Sequence, residues 1–71
     1  MRAEYYGRYE DKGVVFHIWR KWGDGAPDHL ECYVDGHLFA TTKRYIDFRD
    51  FVLWCFYNYP HKRTAEVAAW A

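Results

Sequence analysis

"YVDGHLFATTKRYIDFRDFVLWCFYNYP", residues 33–60, decides the fold, because the hydrophobic period changes inside it. Near its start Asp35-Gly36 separates two apolar runs, and such a pair closes a two-residue hairpin whose backbone matches strand twist. From Tyr45 onward the apolar residues recur every three to four positions, the spacing of a helix. Asp47 is placed to cap that helix, with Thr42 or Lys43 as earlier starts, and Pro60 removes the donor that a further turn would use. A hairpin running straight into a helix over residues 48–59 points to mixed α+β structure.

Upstream, "VVFHIW" is β-branched and aromatic, as strands prefer. "EDKG" at residues 10–13 reads as a type I turn with Gly13 left-handed, and "WGDGAPDH" at residues 22–29 reads as a longer loop. Strands are expected at residues 4–10, 14–22, 29–34 and 37–42. Downstream, "RTAEVAAWA" reads as one or two helical turns capped by Thr64, too short to hold alone in water. The expected fold is a four-stranded antiparallel meander with one main helix packed on one face and a short C-terminal helix. It forms a single domain over residues 1–71.

The turns assign residues to faces. Pairing Cys32 with Phe39 and Leu30 with Thr41 puts Leu30, Cys32, Val34 and Phe39 on one side, and Tyr33, Leu38 and Ala40 on the other. Pairing Arg8 with Phe16 and Tyr6 with Ile18 groups Tyr6, Val14, Phe16, Ile18 and Trp22 as core. Tyr5, Tyr9, His17, Trp19 and Tyr33 then collect on the open face; a slip of one residue exchanges the two sets. On the helix, Tyr45, Phe48, Val52, Cys55, Phe56 and Tyr59 form the stripe that covers the sheet, with Phe51 at its margin. Ile46, Leu53, Trp54 and Tyr57 form a second apolar side.

That second side is a surplus. The chain is 23% aromatic, with 4 Trp, 7 Tyr and 5 Phe among 71 residues. Each ring covers about 150–250 Å², more in total than so small a core accepts. Either Val67 and Trp70 of the tail fold back over the second side, or another chain meets it.

Catalytic chemistry finds little support. Serine is absent from the chain, and no glycine-rich phosphate loop or nucleotide fingerprint is present. Cys32 and Cys55, the nucleophile candidates beside His17, His37 or His61, both fall on core stripes, where a thiol is neutral and inert. His29, Cys32 and His37 superficially suggest zinc, but His29 and Cys32 have opposite strand parity and do not converge. The expectation is a non-enzymatic protein without cofactor or metal. Its two cysteines are free, and its polar N-terminus and lack of a long apolar run suit a soluble cytoplasmic protein.

Ten basic residues balance ten acidic ones, so no global field gathers nucleic acid. Tyr5, Tyr9, Trp19 and Tyr33 with nearby Arg and Lys retain single-stranded nucleic-acid binding as a second reading. The first reading is a protein-binding module that uses the open sheet face, the second helix stripe or both. Its partner is another protein or a second copy of the chain, and an obligate homodimer with no external target is a third reading. In length and order of elements the chain is similar to the compact α+β inhibitors made by bacteriophages, anti-CRISPR proteins among them. That likeness implies steric occupation of a host defence or nucleic-acid-processing protein. Balanced charge argues against the DNA-mimic variety of such inhibitors.

Overall fold

The computed structural model describes residues 1–60. Four strands, β1 (Arg2–Asp11), β2 (Val14–Gly23), β3 (Ala26–Val34) and β4 (His37–Thr41), precede one helix, α1 (Phe48–Asn58). The strands pair antiparallel in the order β1-β2-β3-β4, and α1 covers one face of the sheet over β2 and β3. This is the expected α+β meander. The expected short C-terminal helix, and the covering of α1 by Val67 and Trp70, lie outside the described residues.

All three hairpins close in the same way. Lys12-Gly13, Asp24-Gly25 and Asp35-Gly36 each have positive φ at both positions, at 53° and 79°, 53° and 80°, and 52° and 77°. That is the two-residue turn whose hand matches strand twist. The stretch expected as a loop at residues 22–29 is therefore a tight turn, and β3 begins before Pro27. A missing N–H is tolerated there because the β2–β3 register already shifts between Lys21 and Gly23.

The short first turn corrects the faces of β1. Asp11, not Glu10, stands opposite Val14, so Tyr9 stands opposite Phe16. Tyr9 therefore lies on the helix side and not on the open face. Its ring centroid is 6.4 Å from that of Phe48, and its hydroxyl donates to the Tyr6 carbonyl at 2.8 Å. A β-bulge then restores the expected alignment: Gly7 stands opposite Ile18, but Tyr5 stands opposite Trp19. Tyr6 and Gly7 both occupy the helix side of the bulge, with Tyr6 packed edge-on to Phe48 at 5.3 Å. Gly7 has φ of 108°, a conformation that side-chain-bearing residues rarely adopt.

A second irregularity reshapes β4. Tyr33 stands opposite Leu38, but Cys32 stands opposite Ala40, and both Phe39 and Ala40 pack on the core. Ala40 was expected on the open face. The bulge brings it to the helix side without displacing Phe39.

The core joins Phe16, Ile18, Leu30, Cys32 and Val34 of the sheet to Phe51, Val52 and Cys55 of α1. Each large side chain so buried is worth about 1.5–3 kcal/mol. Phe51, placed at the margin from the sequence, is central. Tyr45 and Trp22 were expected in the core and are not. The helix starts at Phe48 and leaves the far end of the sheet uncovered, and there both rings lie against Arg20. The guanidinium carbon is 4.7 Å from the Tyr45 centroid and 5.2 Å from that of Trp22. Asp47 accepts from the Arg49 N–H at 2.9 Å as the expected cap, and Tyr59 ends the helix in extended backbone before Pro60.

Candidate functional site

Two surfaces hold the residues singled out from the sequence. The first is the open face of the sheet. The alternation of β2 puts His17, Trp19 and Lys21 there, opposite Tyr33, Glu31 and His29 of β3. Tyr5 joins them from β1, with its ring 4.9 Å from Trp19 and 5.9 Å from His17. The Tyr5 hydroxyl lies 2.8 Å from His17 Nδ1. Four of the five expected residues are thus brought together; Tyr9 is the exception.

Next to this aromatic group is a charged network that sequence reasoning missed. Lys21 Nζ lies 2.8 Å from Glu31 Oε1 and donates to the Tyr33 hydroxyl at 3.0 Å. The Tyr33 hydroxyl donates to Glu31 at 2.6 Å, and His29 Nε2 lies 2.9 Å from the other carboxylate oxygen. Burial pushes the Glu31 carboxyl up, but donors from Lys21, Tyr33 and His29 outweigh it and bring it down to about 2. The Pro27 carbonyl and then Glu31 face the two His29 nitrogens and favour imidazolium, raising its pKa. Period-two alternation of Lys21, Glu31 and His29 with core residues was the available signal.

The face is shallow. A groove of about 380 Å³ is lined by Ala3, Trp19, Lys21 and Tyr33. Lys21 is the cation inside it, and its charge is committed to Glu31. Among the described residues no three of the His, Cys, Asp and Glu side chains come together in a way that would hold a metal. Cys32 faces the core with Cys55, and His29 faces away from it. Contact with Cys32 and burial push the Cys55 thiol far above its ordinary range, so it is not a thiolate nucleophile.

The second surface is the outer side of α1. Leu53, Trp54 and Tyr57 are 60%, 50% and 92% exposed, and Ile46 is exposed just ahead of the helix. Trp54 is nevertheless held in place. Its ring is 6.4 Å from Phe51, nearly parallel to it, and 6.3 Å from Phe39. Ile46 and Trp54 flank a notch of about 130 Å³ with Thr41, Thr42 and Phe51. The structure thus sets Ile46 beside Trp54 and leaves Leu53 and Tyr57 exposed on the same helix, with Tyr57 next to Asp11 and Lys12 of the first turn.

No family model, curated protein or solved structure matches the chain. Among the described residues no helix is long and apolar enough to cross a membrane.

Proposed function

We propose that this chain is a small non-catalytic protein-binding module that docks through the outer side of α1. The observation that carries the reading is Trp54: half of the indole faces outward while Phe39 and Phe51 fix its orientation. A large ring already held in one conformation loses little entropy on binding, which is how hot-spot residues act. Leu53 and Tyr57 extend the apolar area beside it, and Arg49 and Asp50 supply a charged rim. Steric occupation of a host defence or nucleic-acid-processing protein in the cytoplasm, in the manner of compact phage inhibitors, is the activity such a surface suits.

Single-stranded nucleic-acid binding is less favoured, because Glu31 neutralises the lysine nearest Trp19 and Tyr33. Co-purification of a tagged chain from host extract, set against the Trp54→Ala and Trp19→Ala variants, tests the reading. The expected result is one stoichiometric protein partner lost with Trp54→Ala and retained with Trp19→Ala. Salt-sensitive binding of random single-stranded DNA or RNA that Trp19→Ala weakens would overturn it in favour of the open face.

A further inference from the structure

We infer that the free edge of β1 pairs with β1 of a second copy, in a two-fold antiparallel register with Tyr6 of each chain opposite Gly7 of the other. This inference does not rest on the protein-binding reading, whose surface is the outer side of α1.

β1 is ten residues long and forms one edge of the sheet, whereas β4 at the other edge has five. A long unpaired edge is a template for another strand unless something blocks it. Among the described residues α1 packs mainly over β2 and β3, reaches β1 through Phe48, and no strand pairs with this edge. The bulge is the usual device for spoiling an edge, because it breaks the alternation of faces. Here it selects the partner instead.

Stepping outward from Tyr5, residues alternate between the open face and the helix side. Tyr6 and Gly7 then take two successive positions on the helix side, and Arg8 resumes the alternation on the open face. A regular strand laid along this edge matches faces on one side of the bulge and mismatches them on the other. Only a strand with its own double step at the same place matches throughout, and β1 is such a strand. With Tyr6 opposite Gly7, Tyr5 falls opposite Arg8 and Ala3 opposite Glu10, all on the open face. Every other pair across the axis also joins residues of one face. A shift of one residue in either direction sets open-face residues against helix-side residues in every off-axis pair. A shift of two mismatches the pair at the centre.

The side chains suit this register. The Tyr9 ring of the same chain lies over Gly7, and across the axis Tyr5 presents an aromatic face to the Arg8 guanidinium. Arg8 is exposed and makes no ion pair or ring contact within its own chain among the described residues. The Tyr5–Arg8 contact occurs twice by symmetry. The product is one eight-stranded sheet made of two four-stranded halves, with both helices on the same side and both Tyr5–Trp19 pairs on the other.

The test is the mass in solution together with cross-linking of the full chain. At high micromolar concentration the mass should be twice the 8.6 kDa of one chain. An equimolar mixture of Ala3→Cys and Glu10→Cys chains should form a mixed disulfide on mild oxidation, and neither alone should cross-link. The buried Cys32 and Cys55 do not compete. Arg8→Glu should raise the dimer dissociation constant about tenfold, because a carboxylate then faces Tyr5 twice. Its circular dichroism spectrum should not change. A single-chain mass at that concentration overturns the inference, as does a dimer in which the mixed disulfide fails to form. A dimer abolished by Trp54→Ala and untouched by Arg8→Glu overturns it too, and places the contact on α1.

Discussion

Lys21 Nζ and the Glu31 carboxylate lie 2.8 Å apart on neighbouring strands of the open face, and they are diagonal rather than directly opposed, Glu31 standing across from Trp19. The pair leaves the second carboxylate oxygen to His29. The arrangement gives stability a defined dependence on pH. Glu31 is held near 2, below its ordinary 4.5, so its contribution is complete above about pH 4.5 and is lost as pH falls towards 2. His29 is raised above 6.5; its contribution is complete below that value and is lost as pH rises through the elevated one. Urea unfolding should therefore give greatest stability between about pH 5 and 6.5. Glu31→Gln should cost about 1–2 kcal/mol at pH 6 and flatten the acid limb. An unchanged acid limb would show that other carboxylates set it.

Trp54 and Tyr57 should separate binding from folding. Tyr57 is almost fully exposed, so Tyr57→Ala should change unfolding stability by no more than about 0.5 kcal/mol. Trp54 leans on Phe39 and Phe51, and Trp54→Ala should cost about 1 kcal/mol through lost ring packing. Each variant should weaken partner binding by more than about 1 kcal/mol in calorimetry. A partner affinity indifferent to both would remove α1 from the contact.

Arg20 is not replaceable by lysine. Its Nε donates to Asp28 Oδ1 at 2.9 Å and its Nη2 to Oδ2 at 2.5 Å, while Nη1 donates to the Tyr6 hydroxyl at 3.3 Å. Hydrogen bonds from the guanidinium hold the Asp28 carboxyl below its usual range. A lysine offers neither the planar fork nor the flat surface that Trp22 and Tyr45 lie on. Arg20→Lys should lower the thermal midpoint and let the Asp28 carboxyl return towards its ordinary value in an NMR titration. A midpoint equal to that of the parent would show that charge alone suffices there.

Cys32 and Cys55 touch across the sheet–helix interface, and both are fully buried. Neither should react with a thiol reagent in the native state, and both should react in urea at the rate of unfolding. Cys55→Ser should cost about 1–3 kcal/mol by burying a hydroxyl among apolar groups. Rapid labelling without unfolding would mean that α1 lifts from the sheet.

What could be read from the sequence was whatever is specified locally. Asp35-Gly36, the Asp47 cap and the stop at Pro60 each act within a few residues, and each stands where expected. The slip at Tyr9 has a local origin too. Lys12 is not a residue usually found at positive φ, so the sequence does not announce Lys12-Gly13 as a two-residue turn, and one residue of slip moves Tyr9 to the other face. Tyr5 kept its place because the bulge at Tyr6 and Gly7 cancels that slip. The bulges and the Arg20 cluster were not legible. The cluster draws Tyr6, Trp22, Asp28 and Tyr45 from four separate parts of the chain, and no spacing rule joins them. The open-face aromatics and the second helix stripe followed from periodicity alone, whereas the neutralisation of Lys21 needed the strand register.

The three turns are alike in backbone, and each joins strands that are neighbours in the chain. No strand has to wait for a distant one to arrive. Every hairpin can close on microsecond timescales and offer an edge to the next, so the search that slows most all-antiparallel sheets is largely absent here. Docking of α1, which trails β4 by a few residues, then becomes the late event, and mutations in Phe51 or Cys55 should speed unfolding more than they slow refolding.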